Sequence, residues 1–164
     1  MPKQVSEESS ASISFVGAPS ASVHEPFLAV LRELAEAYHA FSAYSATHVR
    51  AMGLTPAQFD VIATLGNTGG LSLSEIARKT LITKGTLTGI VDRLEAKGLL
   101  FRRVPAADRR SFHAVLTPAG EMLFTQAFPQ HIEYLKRAFL LLAAEELEQT
   151  RAHLRRLREC FLER

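Results

Sequence analysis

Two helix-start signals eleven residues apart limit what this chain can become more than any other feature. In "LSLSEIARKTLITKGTLTGIVDRLEAKG" Ser72 is followed three residues on by Glu75, the reciprocal pattern of a capping box, and Thr83 stands as N-cap before a second helical run. The first helix has to stop near Thr80, leaving Leu81 and Ile82 as a connection too short for anything but a sharp turn. Gly98 is the expected C-terminal stop of the second helix, after Lys97. Two short helices joined this tightly outline a helix-turn-helix.

The second of these helices contains residues that helices usually avoid. Residues 83–94, "TKGTLTGIVDRL", carry three threonines and two glycines, although each interior Gly costs roughly 0.5–1 kcal/mol relative to Ala. At about 100° per residue, Leu87, Ile90, Val91 and Leu94 fall on one face and form a stripe for burial. The opposite face holds Gly85, Gly89, Asp92 and Ala96, where a solvated helix would hold long Glu, Lys or Gln. Bare backbone permits close approach to something flat and negatively charged. Lys84, Thr86, Thr88 and Arg93 flank the ridge with cations and hydroxyls suited to phosphates and base edges. The helix N-terminus adds free amide donors and partial positive charge. In the competing reading the threonines are only caps and turn residues, and the glycines relieve crowding against the preceding helix.

The segment after the helix pair favours the first reading. "LLFRRV" and "SFHAVLT" are strand-like and are separated by "PAADRR", a hairpin whose tip is basic. Arg102, Arg103, Arg109 and Arg110 fall within nine residues, with Asp108 two before Arg110 and placed to orient a guanidinium toward a narrow, electronegative minor groove. Helix-turn-helix plus basic hairpin is a winged arrangement. Charge follows the same division: residues 72–117 hold nine Lys or Arg against four Asp or Glu, whereas the rest of the chain holds ten against thirteen. The candidate DNA contacts are therefore Ser72, Thr83, Lys84, Gly85, Thr86, Thr88, Gly89, Arg93, Arg102, Arg103, Asp108, Arg109 and Arg110.

The flanking segments read as helices in need of a partner. "EPFLAVLRELAEAYHAFSAYSATHVRAM" is one long helix ending near Gly53, and Thr55 with Pro56 opens another that runs to about Leu65. "PAGEMLFTQAFPQHIEYLKRAFLLL" is long and apolar, with a kink expected at Pro129. A last helix carries the seam Leu147, Leu154, Leu157, Phe161. A small winged lobe cannot bury all this surface, and dimerisation through these helices would. The expected organisation is a disordered, serine-rich tail over 1–23, a helical dimerisation region over 24–53 and 118–164, and a winged helix-turn-helix over 54–117. The fold class is mainly α with a small β-hairpin wing.

"LTPAQFDVI" and the whole run from "LSLSEIARKT" to "HAVLTPAG" closely resemble the MarR family of winged helix-turn-helix transcriptional regulators. The resemblance covers roughly Phe27 to Arg164 and is most specific at the wing, where Asp108, Arg110, Leu116 and Thr117 fit the family pattern D-x-R-x5-L-T. It implies a homodimer with interlocking terminal helices, double-stranded DNA as partner, Arg110 as the minor-groove arginine and Asp108 as its orienter. Family members often carry a longer polar residue where this chain has Gly89, a departure that bears on base preference. The resemblance also implies a repressor, released from a pseudo-palindromic operator by a small aromatic or phenolic effector, and the single cysteine fits a reducing cytoplasm. Tyr38, His39, Tyr44, His48 and Phe59 are the candidates for the wall of the effector crevice.

Other classes find little support. The histidines show no zinc spacing, and there is no nucleophile elbow, phosphate loop or dinucleotide fingerprint, so neither an enzyme, a metal site nor a cofactor is expected. A single cysteine, Cys160, excludes an internal disulfide framework; it leaves a redox-responsive regulator as one alternative. A winged-helix protein-interaction module without DNA is another. No apolar run approaches the roughly 18–20 residues of a membrane helix.

Overall fold

A computed structural model describes residues 25–80, 82–104 and 112–162. The expected disordered tail and the wing tip with Asp108, Arg109 and Arg110 lie outside the described residues. The elements run α1 (Pro26–Ala51), α2 (Pro56–Leu65), β1 (Leu71–Ser72), α3 (Leu73–Lys79), α4 (Lys84–Ala96), β2 (Leu100–Arg103), β3 (His113–Leu116), α5 (Pro118–Phe139) and α6 (Ala144–Leu162). The chain divides into two units at Ala40/Phe41, within α1. The first contributes the opening turns of α1, on which Phe27, Val30, Leu34 and Tyr38 are exposed.

In the second unit each helix start has a local cause. Thr55 accepts from the Gln58 amide at 3.2 Å while the Thr55 N–H donates to Gln58 Oε1 at 3.1 Å, a capping box with Pro56 at the first helical position. Ser72 and Glu75 close the expected box on α3. Thr117 caps α5, accepting from Gly120 N–H at 3.1 Å. Caps of this kind contribute about 1 kcal/mol each.

The core forms where α2, α3, α4 and the sheet meet. Leu87, Ile90, Val91 and Leu94 are at most 1% exposed, packed with Ile62, Leu65, Ile76, Leu100, Ala114 and Leu116. Burying each of the four α4 side chains is worth about 1.5–3 kcal/mol, which outweighs the glycine penalty several-fold. That surplus is why α4 tolerates its unusual outer face.

The expected hairpin is one part of a three-stranded antiparallel sheet, in the order β1-β3-β2. Leu71 pairs with Ala114 and Ser72 with His113, while β2 pairs along β3 from Leu100↔Leu116 to Arg103↔His113. The short β1 was hidden beneath the capping signal at Ser72. Two glycines set the wing's base. Gly98, at φ +69°, ends α4 with its N–H on the Glu95 carbonyl at 2.8 Å. Gly120 lies so close to the Leu99 carbonyl that a Cβ would sit 2.0 Å from its oxygen. Thr117 Oγ1 also donates to the Gly98 carbonyl at 2.7 Å, tying the start of α5 to the end of α4.

Helix α5 runs on through Pro129 as one helix from Pro118 to Phe139. In α6 no residue is buried: Leu154 and Phe161 are 51% and 57% exposed, and Leu147 and Leu157 are half-buried. Phe139, Leu142, Leu147 and Leu154 line an open hollow together with Arg151, Arg155 and Arg158.

Candidate nucleic-acid interface

The outer face of α4 is as bare as its residue types imply. A Cβ built on Gly85 would meet nothing within 4 Å, and one on Gly89 would meet only Arg93 Nη1 at 3.7 Å. Neither glycine relieves crowding against a neighbouring element. Thr83, Lys84, Gly85, Thr86, Thr88 and Arg93 are exposed, and Gly89 is half-buried with Arg93 leaning toward it.

The threonines belong in part to the competing reading. Thr83 caps α4, with its Oγ1 3.1 Å from Thr86 Oγ1, and Thr88 Oγ1 donates to the Lys84 carbonyl at 3.4 Å. These bonds hold the hydroxyls in place on the ridge, and each oxygen keeps acceptor capacity for an outside donor.

Three assignments need correction. Ser72 does not present a free hydroxyl: its Oγ donates to Glu75 Oε2 at 2.8 Å and accepts from the Glu75 N–H at 3.3 Å. The Ser72 backbone N–H, then its hydroxyl, hold the Glu75 carboxyl below its ordinary value, so the box is built around the carboxylate. Arg102 is no tip cation. It lies in β2, its guanidinium split between Asp92 and Glu95 of α4, its backbone N–H on Glu95 Oε1 at 3.1 Å, and its Cζ 4.9 Å from the centre of the Phe112 ring. The bond to Asp92 is the largest cause of its raised pKa. Asp92, expected on the bare ridge, is thereby part of a brace between α4 and the wing. Arg103 also lies in β2 rather than at the tip, exposed, with Nη2 donating to the Gly69 carbonyl at 2.6 Å. Arg78 and Lys79, exposed in the last turn of α3, add cations that composition counted but motif reading passed over.

The candidate effector residues separate into two sets. Tyr38 and His39 are exposed neighbours on the first unit's part of α1, with ring centroids 6.3 Å apart. Tyr44, His48 and Phe59 come together around two α5 residues that sequence reading missed, His131 and Tyr134. Tyr134 stacks on Tyr44 at 4.4 Å and on His48 at 4.3 Å, and Phe59 meets His131 edge-on at 4.7 Å. His131 is 3% exposed, with Nε2 3.1 Å from Ser45 Oγ and Nδ1 3.1 Å from His48 Nδ1. Burial first, then His48, holds its pKa below the ordinary value, while burial raises that of Tyr134. The spacing of His131 and Tyr134, three apart on one helix face, was the signal available. Cys160 is exposed near the end of α6.

Among the described residues, no cluster of His, Cys, Asp or Glu could hold a metal, and no helix is long and apolar enough to cross a membrane.

Comparison with known proteins agrees with this geometry. The model of the MarR family matches residues 52–111. The chain is 33% identical over 124 residues to the HTH-type transcriptional regulator MhqR of Bacillus subtilis (strain 168), spanning 76% of this chain and 86% of that one. The homoprotocatechuate degradative operon repressor of Escherichia coli is 28% identical over 116 residues, 71% of this chain and 78% of its own. Among solved structures, BpsR of Bordetella bronchiseptica, described for regulation of its DNA binding by 6-hydroxynicotinic acid, is 30% identical with a TM-score of 0.70, covering 79% of this chain and 98% of that one. A likeness extending across most of both chains, over helices and wing alike, makes this protein a member of the MarR family of winged helix-turn-helix transcriptional regulators.

Proposed function

We propose that this protein is a homodimeric repressor that binds a pseudo-palindromic operator and is released from it by a small aromatic acid or phenol. The observation that carries the DNA reading is the outer ridge of α4, open at Gly85 and Gly89 and flanked by Lys84, Thr86, Thr88 and Arg93. A helix this bare can lie deep in a major groove, with its capped N-terminus toward a phosphate. Arg103, Arg109 and Arg110 then carry the wing, with Asp108 orienting Arg110 in the minor groove, while Arg102 fixes the wing's angle to α4. The exposed apolar residues of α6 and the end of α5 supply the dimer surface. Twofold symmetry sets the two α4 helices about 34 Å apart, one turn of DNA.

Two relatives support the regulatory half: one bears the name of an operon repressor, and the DNA binding of the other is described as regulated by an aromatic acid. In this chain the aromatic cluster of Tyr44, His48, Phe59, His131 and Tyr134 is the place for such a ligand, which acts by favouring one spacing of the two lobes. Moving that balance from 99:1 to 1:99 takes roughly 5.5 kcal/mol of differential affinity.

A gel shift on promoter DNA with Gly89→Glu tests the DNA reading. A carboxylate on the ridge should remove operator binding by more than about a hundredfold, since a charged pair at close quarters is repelled, while sedimentation still reports the dimer. Operator affinity retained by that variant would refute the close-approach account. A thermal-shift screen of aromatic acids, paired with release from DNA, tests the effector.

A further inference from the structure

His131 is the most deeply buried titratable group on α5, and it meets two other helices at once. From α1 it faces Ser45 and His48, and from α2 it faces Phe59. Tyr44 and Tyr134 complete the stack. The nearest charged side chains on these elements do not pair with it: Arg50 on α1 and Glu133, Lys136 and Arg137 on α5 are exposed, with Lys136 Nζ 3.4 Å from Glu133, while Asp60 on α2 presents surface to solvent even though partial burial raises its pKa.

Proton counting gives the Nδ1···Nδ1 contact a function. With both imidazoles neutral, one Nδ1–H donates to the other bare Nδ1, and Ser45 either donates to or accepts from His131 Nε2 accordingly. One added proton is compatible with the bond. The pair keeps its bond as long as the Nδ1–H of His48, whose ring lies against the Tyr134 face, donates to a bare Nδ1 on His131. The next proton must go to His131. It sets two N–H donors against each other at 3.1 Å and places a charge on a ring that is only 3% exposed, beside a like charge.

We propose that the His48–His131 pair is a proton-operated latch joining α1, α2 and α5, closed while His131 is neutral and opened when it is protonated, and that the open form binds operator weakly. The inference rests on the reading of this protein as an operator-binding dimer. The cluster is filled by its own stacked side chains, which an aromatic effector would have to part in order to enter. Acid opens the latch through the same contacts that an aromatic effector would disturb. The sign follows from linkage: the closed form holds the pKa of His131 below its ordinary value, so uptake of the proton favours whichever form lets that pKa recover, and the effect emerges as pH falls below about 6.5.

The test measures operator affinity by fluorescence anisotropy from pH 7.5 to 5.0 at constant ionic strength, on a duplex selected by this protein from a randomised library. In parallel, imidazole resonances of the full chain are titrated by NMR without DNA. Affinity should fall by about a hundredfold per pH unit at most, the limit for two linked protons, one in each protomer of the dimer. Protonating surface histidines strengthens DNA binding in general, so the direction itself is diagnostic. His131→Gln should remove the acid fall, and His48→Gln should do the same from the half-buried side if the first variant fails to fold. In NMR, His131 should titrate below its ordinary value in wild type and move upward in His48→Gln. An affinity that is flat or rises on acidification, or wild type and His48→Gln with the same pH profile, would overturn the latch. Failure to select any duplex, with the two imidazoles still titrating as a coupled pair, would instead overturn the regulator reading and with it the latch's link to DNA.

Discussion

Helices α4 and α6 each carry an apolar stripe of four residues, and the two stripes meet opposite fates. On α4, Leu87, Ile90, Val91 and Leu94 are sealed within the chain. On α6, Leu147 and Leu157 are half-buried and Leu154 and Phe161 are more than half exposed. Periodicity says which face of a helix must be covered, and only the fold says what covers it. The faces turned outward differ just as sharply. Helix α4 offers small residues and cations, which suits a polar, charged duplex, whereas α6 offers leucines, which suit a second copy of itself.

That contrast is most easily broken at α6. Leu154→Glu with Phe161→Glu should leave each lobe folded and dissociate the dimer, seen by sedimentation equilibrium. Operator affinity should drop by about 10²- to 10⁴-fold, because the second half-site is no longer held at high effective concentration. A dimer of unchanged mass would mean that these side chains are a solvated surface and that the difference from α4 is apparent only.

A smaller effect is expected at the brace. Arg102→Ala leaves Asp92 and Glu95 near each other without their shared cation and should lower stability to urea by about 1.5–3 kcal/mol, the range for hydrogen bonds to charged groups. Arg102→Lys should recover only part of it, since one ammonium cannot serve two carboxylates with a planar fork. Full stability in Arg102→Ala would return this residue to the set of free cations.

Smallest is Lys84→Ala. It should weaken binding to specific and random duplexes alike and reduce the slope of log affinity against log salt by about one, the signature of a single phosphate contact. A change of preference among sites at constant slope would make it a base reader instead.

Much of the fold was legible because its signals are local. Ser72, Thr55 and Thr83 each sit where a side-chain oxygen must satisfy the first free amides, and Gly98 sits where the chain must turn to positive φ. The outward glycines could be placed because a 13-residue helix has a fixed pitch. What escaped were consequences of long-range pairing. Two residues of β1 cannot display a strand period, and they pair with β3 across more than forty positions of chain. Arg102 looked like one of four similar arginines until the register put it opposite Ala114 and over the acids of α4. His131 and Tyr134 were read only as part of an apolar helix, since nothing nearby announces that α1 will bring Tyr44 and His48 to them.

The central claim is that α4 forgoes helix stability at Gly85 and Gly89 in order to approach DNA closely. Both positions have room for a methyl group, so the double variant Gly85→Ala, Gly89→Ala tests it without steric damage. The account predicts a protein more stable by roughly 0.5–1 kcal/mol per site that binds its operator more weakly. A variant that gains the stability and binds the operator as tightly as before would contradict it.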